Sequence, residues 1–104
     1  MSNLTETCQQ AIEQWGTDFQ LDMAIEEASE LIKAVCKLKR NGFLAMAIIS
    51  VAEEIADTEI MLEQLKIMLD CRKDVNGWKK YKLERLAQKI EEAKAKNEDR
   101  NKLQ

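Results

Sequence analysis

Leu21-Asp22-Met23-Ala24-Ile25-Glu26-Glu27-Ala28-Ser29-Glu30-Leu31-Ile32-Lys33-Ala34-Val35 reads as an amphipathic helix that carries acids where hydrophobes belong. At about 100° per residue, Met23, Ala24, Ile25, Ala28, Leu31, Ile32, Ala34, Val35 and, one turn on, Leu38 form one broad apolar arc. Glu27 falls inside that arc, between Ala34 and Leu38. Glu30 lies at its margin beside Met23, and Glu26 sits further round with Lys33 and Lys37.

Working outward from this stretch, the chain of 104 residues has no proline and three glycines, and 3.6-residue periodicity runs through most of it. That pattern calls for an all-α fold, with the glycines as punctuation. A first helix is expected from Leu4 to Trp15, stopped by Gly16. Thr17-Asp18-Phe19-Gln20 has the form of a capping box that opens the second helix, which runs to Asn41 and stops at Gly42. The third helix is expected over about Phe43 to Arg72, Asp74-Val75-Asn76-Gly77 as a turn, and the fourth helix over about Trp78 to Lys96. The polar tail Asn97 to Gln104 is expected to fray. The whole is read as one domain over residues 1–104, a four-helix antiparallel bundle-like protomer, with no solenoid repeat and no low-complexity linker.

The third helix repeats the pattern of the second. Its apolar arc contains Leu44, Ala47, Val51, Ile55, Met61, Leu62, Leu65 and Leu69, and Glu54 falls within it between Met61 and Leu65, with Asp57 near Ser50 and Met68. Residues three apart on a helix are neighbours. Glu27/Glu30 and Glu54/Asp57 are therefore two acidic pairs that meet if the helices pack antiparallel. An ionised carboxylate in an apolar site is costly unless paired or coordinated, so four together need a cation. The competing reading is that they reach solvent or pair with lysines such as Lys33 and Lys66.

Ligand chemistry narrows the cation. The chain has no histidine, which excludes the Glu-x-x-His set of di-iron bundles. All-oxygen ligation suits Mg2+ or Mn2+, which keep waters and take phosphate oxygens as further ligands. Hydrolysis of a phosphate ester or phosphoanhydride is the matching reaction class.

Composition sets the other limits. A net charge of −3 gives no basic excess for wrapping nucleic acid or adhering to anionic membrane. No apolar run is long enough to span a bilayer, and Met1-Ser2-Asn3-Leu4 lacks the start of a signal peptide, so a cytoplasmic location is expected. Cys8, Cys36 and Cys71 are far apart without a Cys-x-x-Cys pair and are read as reduced packing residues rather than a disulfide framework, zinc site or nucleophile.

Glu26-Glu27-x-x-Glu30 followed by Glu54-x-x-Asp57 resembles the EExxE and ExxD signature of the MazG-type all-α nucleoside triphosphate pyrophosphohydrolases, and the likeness spans about Trp15 to Arg85. The resemblance implies Mg2+-dependent hydrolysis of a nucleoside triphosphate to the monophosphate and pyrophosphate, as in nucleotide-pool house-cleaning. It implies Glu27, Glu30, Glu54 and Asp57 as metal ligands with Glu26 in support, in a dimer or tetramer. Basic residues of a later helix would meet the phosphates, and Lys82 and Arg85 are the candidates, with Lys94, Lys96 and Arg100 in reserve. Trp15 or Phe19 could stack on the base while Gln20 offers an amide edge. Two alternatives stand beside this reading. One is a dUTP- or dCTP-specific pyrophosphatase of the same superfamily; the other is a non-catalytic helical oligomerisation or interaction module.

The third helix carries a second apolar stripe, Ile49, Ala56, Ile60 and Ile67. A helix apolar on two faces is buried on both, so self-association through this helix into a homodimer or homotetramer is expected.

Overall fold

The computed structural model describes residues 3–103; Met1 and Ser2, and Gln104 of the expected frayed tail, lie outside the described residues. Four α-helices follow one another, α1 (Leu4–Trp15), α2 (Thr17–Asn41), α3 (Ala45–Met68) and α4 (Arg72–Lys102), and no strand occurs among the described residues. The all-α expectation is met.

Local chemistry explains most of the boundaries. Asn3 opens α1: its Oδ1 accepts a hydrogen bond from the Glu6 backbone N–H at 2.7 Å, satisfying one of the amides that a helix start leaves without an internal partner. Gly16, at φ 87°, does two jobs. Its N–H donates to the Ile12 carbonyl at 2.8 Å to close α1, and its own carbonyl accepts from the Gln20 N–H at 3.1 Å to start α2. A Cβ added there would meet nothing within 4 Å, so backbone conformation rather than space calls for glycine. The capping box expected at Thr17 is not formed, because Gly16 is already the cap and Thr17 is the first helical residue.

The largest correction falls between the third and fourth helices. α3 starts at Ala45 and ends at Met68, not Phe43 and Arg72. The turn sits at Asp70, which takes a positive φ of 48°, an excursion that aspartate tolerates better than most non-glycine residues. Val75 N–H then donates to the Cys71 carbonyl at 2.9 Å. Asp74 to Gly77, expected as a turn, is thus part of α4, which begins at Arg72 and continues to Lys102 rather than stopping near Lys96.

The chain divides into two compact units, residues 1–70 and 71–104. In the first, α2 packs along α3, and α1 packs against both. Its buried residues are unusually polar: Cys8 and Met61 are joined by Gln20, Glu63 and Gln64. Cys8 Sγ lies 3.7 Å from the Ile60 carbonyl as a weak donor, and burial raises its thiol pKa, with Glu63 adding to the effect. All three cysteines are free. The second unit is α4 itself, a helix with no buried residue. No helix among the described residues is long and apolar enough to cross a membrane.

Candidate active site

Antiparallel neighbours in the first unit bring the two acidic motifs together. Glu27 of α2 and Glu54 and Asp57 of α3 each offer a carboxylate oxygen, and these three oxygens lie within 4.8 Å of one another. All three residues are partly buried. Burial raises the pKa of Glu27 above its ordinary 4.5; the charges of Asp57 and Glu54 push it further, a hydrogen bond shared with Asp57 favours the protonated form, and Glu26 adds a smaller effect. Glu54 is raised for the same reasons, burial first, then Asp57, Glu30 and Glu53.

Glu54 carries the most informative atom. Its Oε2 is sealed from solvent and has no hydrogen-bond partner among the described residues, as does Thr58 Oγ1 one turn further along α3. Buried polar atoms without a partner are rare in folded proteins, and a carboxylate oxygen in that condition is suited to a cation. An octahedral Mg2+ holds oxygens at about 2.1 Å, or roughly 4.2 Å across the ion, close to the spread of this group. The donor set is all oxygen, carboxylate-rich and free of thiol and imidazole, and so fits a hard divalent cation.

The expected fourth ligand behaves differently. Glu30 Oε1 accepts from Lys33 Nζ at 3.3 Å on the solvent side of α2, although its charge still reaches Glu54. Glu26 is exposed, and its backbone carbonyl accepts from Ser29 Oγ at 2.7 Å. Thus three of the four expected ligands converge, and Glu30 takes the lysine pairing that the competing reading proposed for such residues.

Beside the acids opens a cavity of about 420 Å³ lined by Trp15, Phe19, Gln20, Met23, Glu27, Asp57, Ile60 and Met61. The three residues read as base contacts, Trp15, Phe19 and Gln20, therefore share one pocket with two carboxylates of the acidic group. Ile60, assigned from the sequence to an outer stripe, is exposed and also lines this pocket. Gln64 escaped the sequence reading: its Oε1 accepts from Gln20 Nε2, and both side chains are buried. A signal existed, since Gln64 follows Asp57 by seven residues, two turns along the same face.

Lys82 and Arg85 belong to the second unit. The Lys82 ammonium sits 5.9 Å from the centre of the Trp78 ring, a cation–π contact, and Trp78 meets Tyr81 edge to face at 6.1 Å. Arg85 borders a shallow depression with Tyr81, Glu84 and Gln88. Of the reserve residues, Lys94 Nζ pairs with Glu91 at 3.6 Å on the helix surface.

No family model, curated protein or solved structure matches the chain.

Proposed function

We propose that the chain is a divalent-cation-dependent hydrolase that converts a nucleoside triphosphate to the monophosphate and pyrophosphate. What carries the reading is the convergence of Glu27, Glu54 and Asp57, with the orphaned Glu54 Oε2, at the edge of an aromatic-walled pocket. Mg2+ or Mn2+ held by these carboxylates would neutralise phosphate charge and lower the pKa of a bound water.

The chain's own residues supply the rest. Trp15 and Phe19 offer aromatic faces to a planar base, and Met23, Ile60 and Met61 give the pocket apolar walls. With no histidine available, the proton acceptor for the attacking water would be a carboxylate of the site or a metal-bound hydroxide.

Self-association completes the proposal. Ile48, Ile55 and Leu62 of α3 and its C-cap Leu69 repeat every seven residues, and all four are exposed, as are Ile25, Ile32 and Val35 on α2. Apolar stripes of this length on small soluble domains mark interfaces, and a second copy of the chain is the partner proposed here.

Pyrophosphate release from a panel of nucleoside triphosphates, with and without Mg2+, tests the reaction. Metal-dependent release from at least one nucleotide is expected. A chain that releases pyrophosphate from none of the panel with either Mg2+ or Mn2+ is not this hydrolase.

A further inference from the structure

The net charge of −3 hides an uneven distribution. Residues 1–70 carry five lysines and arginines against thirteen aspartates and glutamates, a net −8, whereas residues 71–104 carry eleven against six, a net +5. The second unit is α4, none of whose residues is buried. Its excess is concentrated over residues 78–89, where five of twelve residues are basic and Glu84 is the one acid. At about 100° per residue, Trp78, Tyr81, Lys82, Arg85 and Lys89 share one sector of about 100°, and Glu84 falls outside it. Leu83, Leu86, Ala87 and Ile90 form a separate apolar stripe. Beyond Lys89, the same sector holds Lys96 and Arg100 together with Glu92 and Asp99, so its acid-free part is the row from Trp78 to Lys89, roughly 16 Å long at about 1.5 Å per residue. The rings in this row are open to solvent, Trp78 at 62% and Tyr81 at 50%. Lys82 Nζ lies 5.9 Å from the centre of the Trp78 ring, which puts a cation beside an aromatic surface.

We propose that this row is a binding surface for single-stranded nucleic acid, in which Trp78 and Tyr81 stack on bases while Lys82, Arg85 and Lys89 meet the phosphates. A phosphate backbone supplies the charge that complements the cations, and unpaired bases supply planar faces for the rings, the two chemistries by which single strands are held without sequence readout. An acidic peptide would answer the cations alone, and a duplex keeps its base faces stacked away from the rings. Lys82 and Arg85 are also the candidates for triphosphate contact, but the surface is defined by the charge and aromatic pattern of α4 and does not rest on the hydrolase reading.

The test is a titration of fluorescein-labelled oligodeoxythymidine with the full chain, in chelator, read by fluorescence anisotropy at salt concentrations from about 20 to 200 mM. Saturable binding is expected, with log K falling against log salt at a slope of about −2, as for three phosphates met on a single strand. Trp78→Ala should weaken binding about tenfold at every salt concentration and leave the slope unchanged, because stacking carries no net charge. Trp78→Phe keeps a ring and should retain most of the affinity. Lys89→Gln should bring the slope to about −1.4. Inorganic polyphosphate, which has phosphates and no bases, should displace the labelled strand only at a phosphate concentration about tenfold or more above that of unlabelled oligodeoxythymidine. No binding at the lowest salt, polyphosphate competing as well as the oligonucleotide, or an unchanged affinity in Trp78→Ala overturns the proposal. The polyphosphate comparison uses the wild-type chain and decides the matter even if a variant fails to fold. If the occupant of this row is instead the acidic first unit of a second copy, light scattering shows a salt-sensitive mass and the oligonucleotide stays free, which also overturns it. A chain that binds the strand but hydrolyses no triphosphate keeps this surface and loses the hydrolase reading, and the opposite result separates them the other way.

Discussion

In α3, Glu54 holds an oxygen sealed from solvent with no hydrogen-bond partner, whereas in α4 Glu91 lies on the surface with Lys94 Nζ 3.6 Å away. Both are glutamates on long helices. Around Glu91 water screens the charge, and the ion pair contributes little. Around Glu54 lie the carboxylates of Glu27 and Asp57, and burial together with the charges of Asp57, Glu30 and Glu53 raises its pKa. Stability accounts for the first placement and not for the second. A carboxylate in such surroundings is what the metal site proposed above would require, with function and stability traded against each other.

The contrast breaks most readily at the level of turnover. Asp57→Asn, which preserves shape and removes one charge from the group, should lower hydrolysis about 10²–10³-fold, because electrostatic support of a developing phosphate charge amounts to several kcal/mol. Glu91→Gln should leave turnover within about twofold, as expected of an exposed pair. Steady-state pyrophosphate release for the two variants reads both; equal effects would erase the distinction between the helices.

A second test concerns the exposed stripe of α3. Leu62→Glu, which adds a charge in the middle of that stripe, should reduce the solution mass of the assembly as measured by light scattering, since an unpaired charge at an apolar interface is strongly unfavourable. Ile60 is a poorer probe, because it lines the pocket and its carbonyl accepts from Cys8. An unchanged mass would remove α3 as the interface. Smaller still is the effect expected in α4, where Lys82→Ala or Arg85→Ala should raise KM about tenfold, the worth of one charge-assisted phosphate contact, with the melting temperature unaltered. Unchanged kinetics in both variants would move the phosphate contact to Lys94, Lys96 or Arg100.

Much of this was legible in the sequence, and the reason is periodicity. The bounds of α1 and α2, and the placement of Glu27 and Glu54 within apolar arcs with Asp57 one turn from Glu54, follow from a 3.6-residue repeat punctuated by Gly16 and Gly42. The start of α4 was hidden. Asn76-Gly77 carries a turn signature, yet Gly77 is helical, and the chain turns at Asp70, which has neither glycine nor proline to mark it. Glycine permits a turn without enforcing one. The pairing of Gln20 with Gln64 was equally out of reach, because their contact spans 44 positions and depends on how α2 and α3 pack rather than on either helix alone. Glu30 shows the converse limit. Its spacing matches that of a ligand, but a lysine three residues on draws it to solvent.

The raised pKa values set the sign of a pH effect. Glu27 and Glu54 bind protons more tightly folded than unfolded, so below their ordinary value of 4.5 they contribute stability, and they lose it as pH rises through the elevated folded values. Metal-free wild-type protein should therefore become more stable as pH falls from neutral toward that range, until other carboxylates begin to oppose the trend. Urea midpoints collected against pH in chelator check this; a midpoint that only falls on acidification would contradict it.

The most direct measurement compares melting curves of wild type and Glu54→Gln, each in chelator and in Mg2+ or Mn2+. In chelator, Glu54→Gln should melt at the wild-type temperature or above it, because a repelled and partly buried charge has been removed. Metal should raise the wild-type melting temperature by binding the folded state preferentially, and that gain should shrink in the variant. A Glu54→Gln protein strongly destabilised in chelator, with metal shifting neither curve, would show instead that these carboxylates are structural and that the acidic group is no metal site.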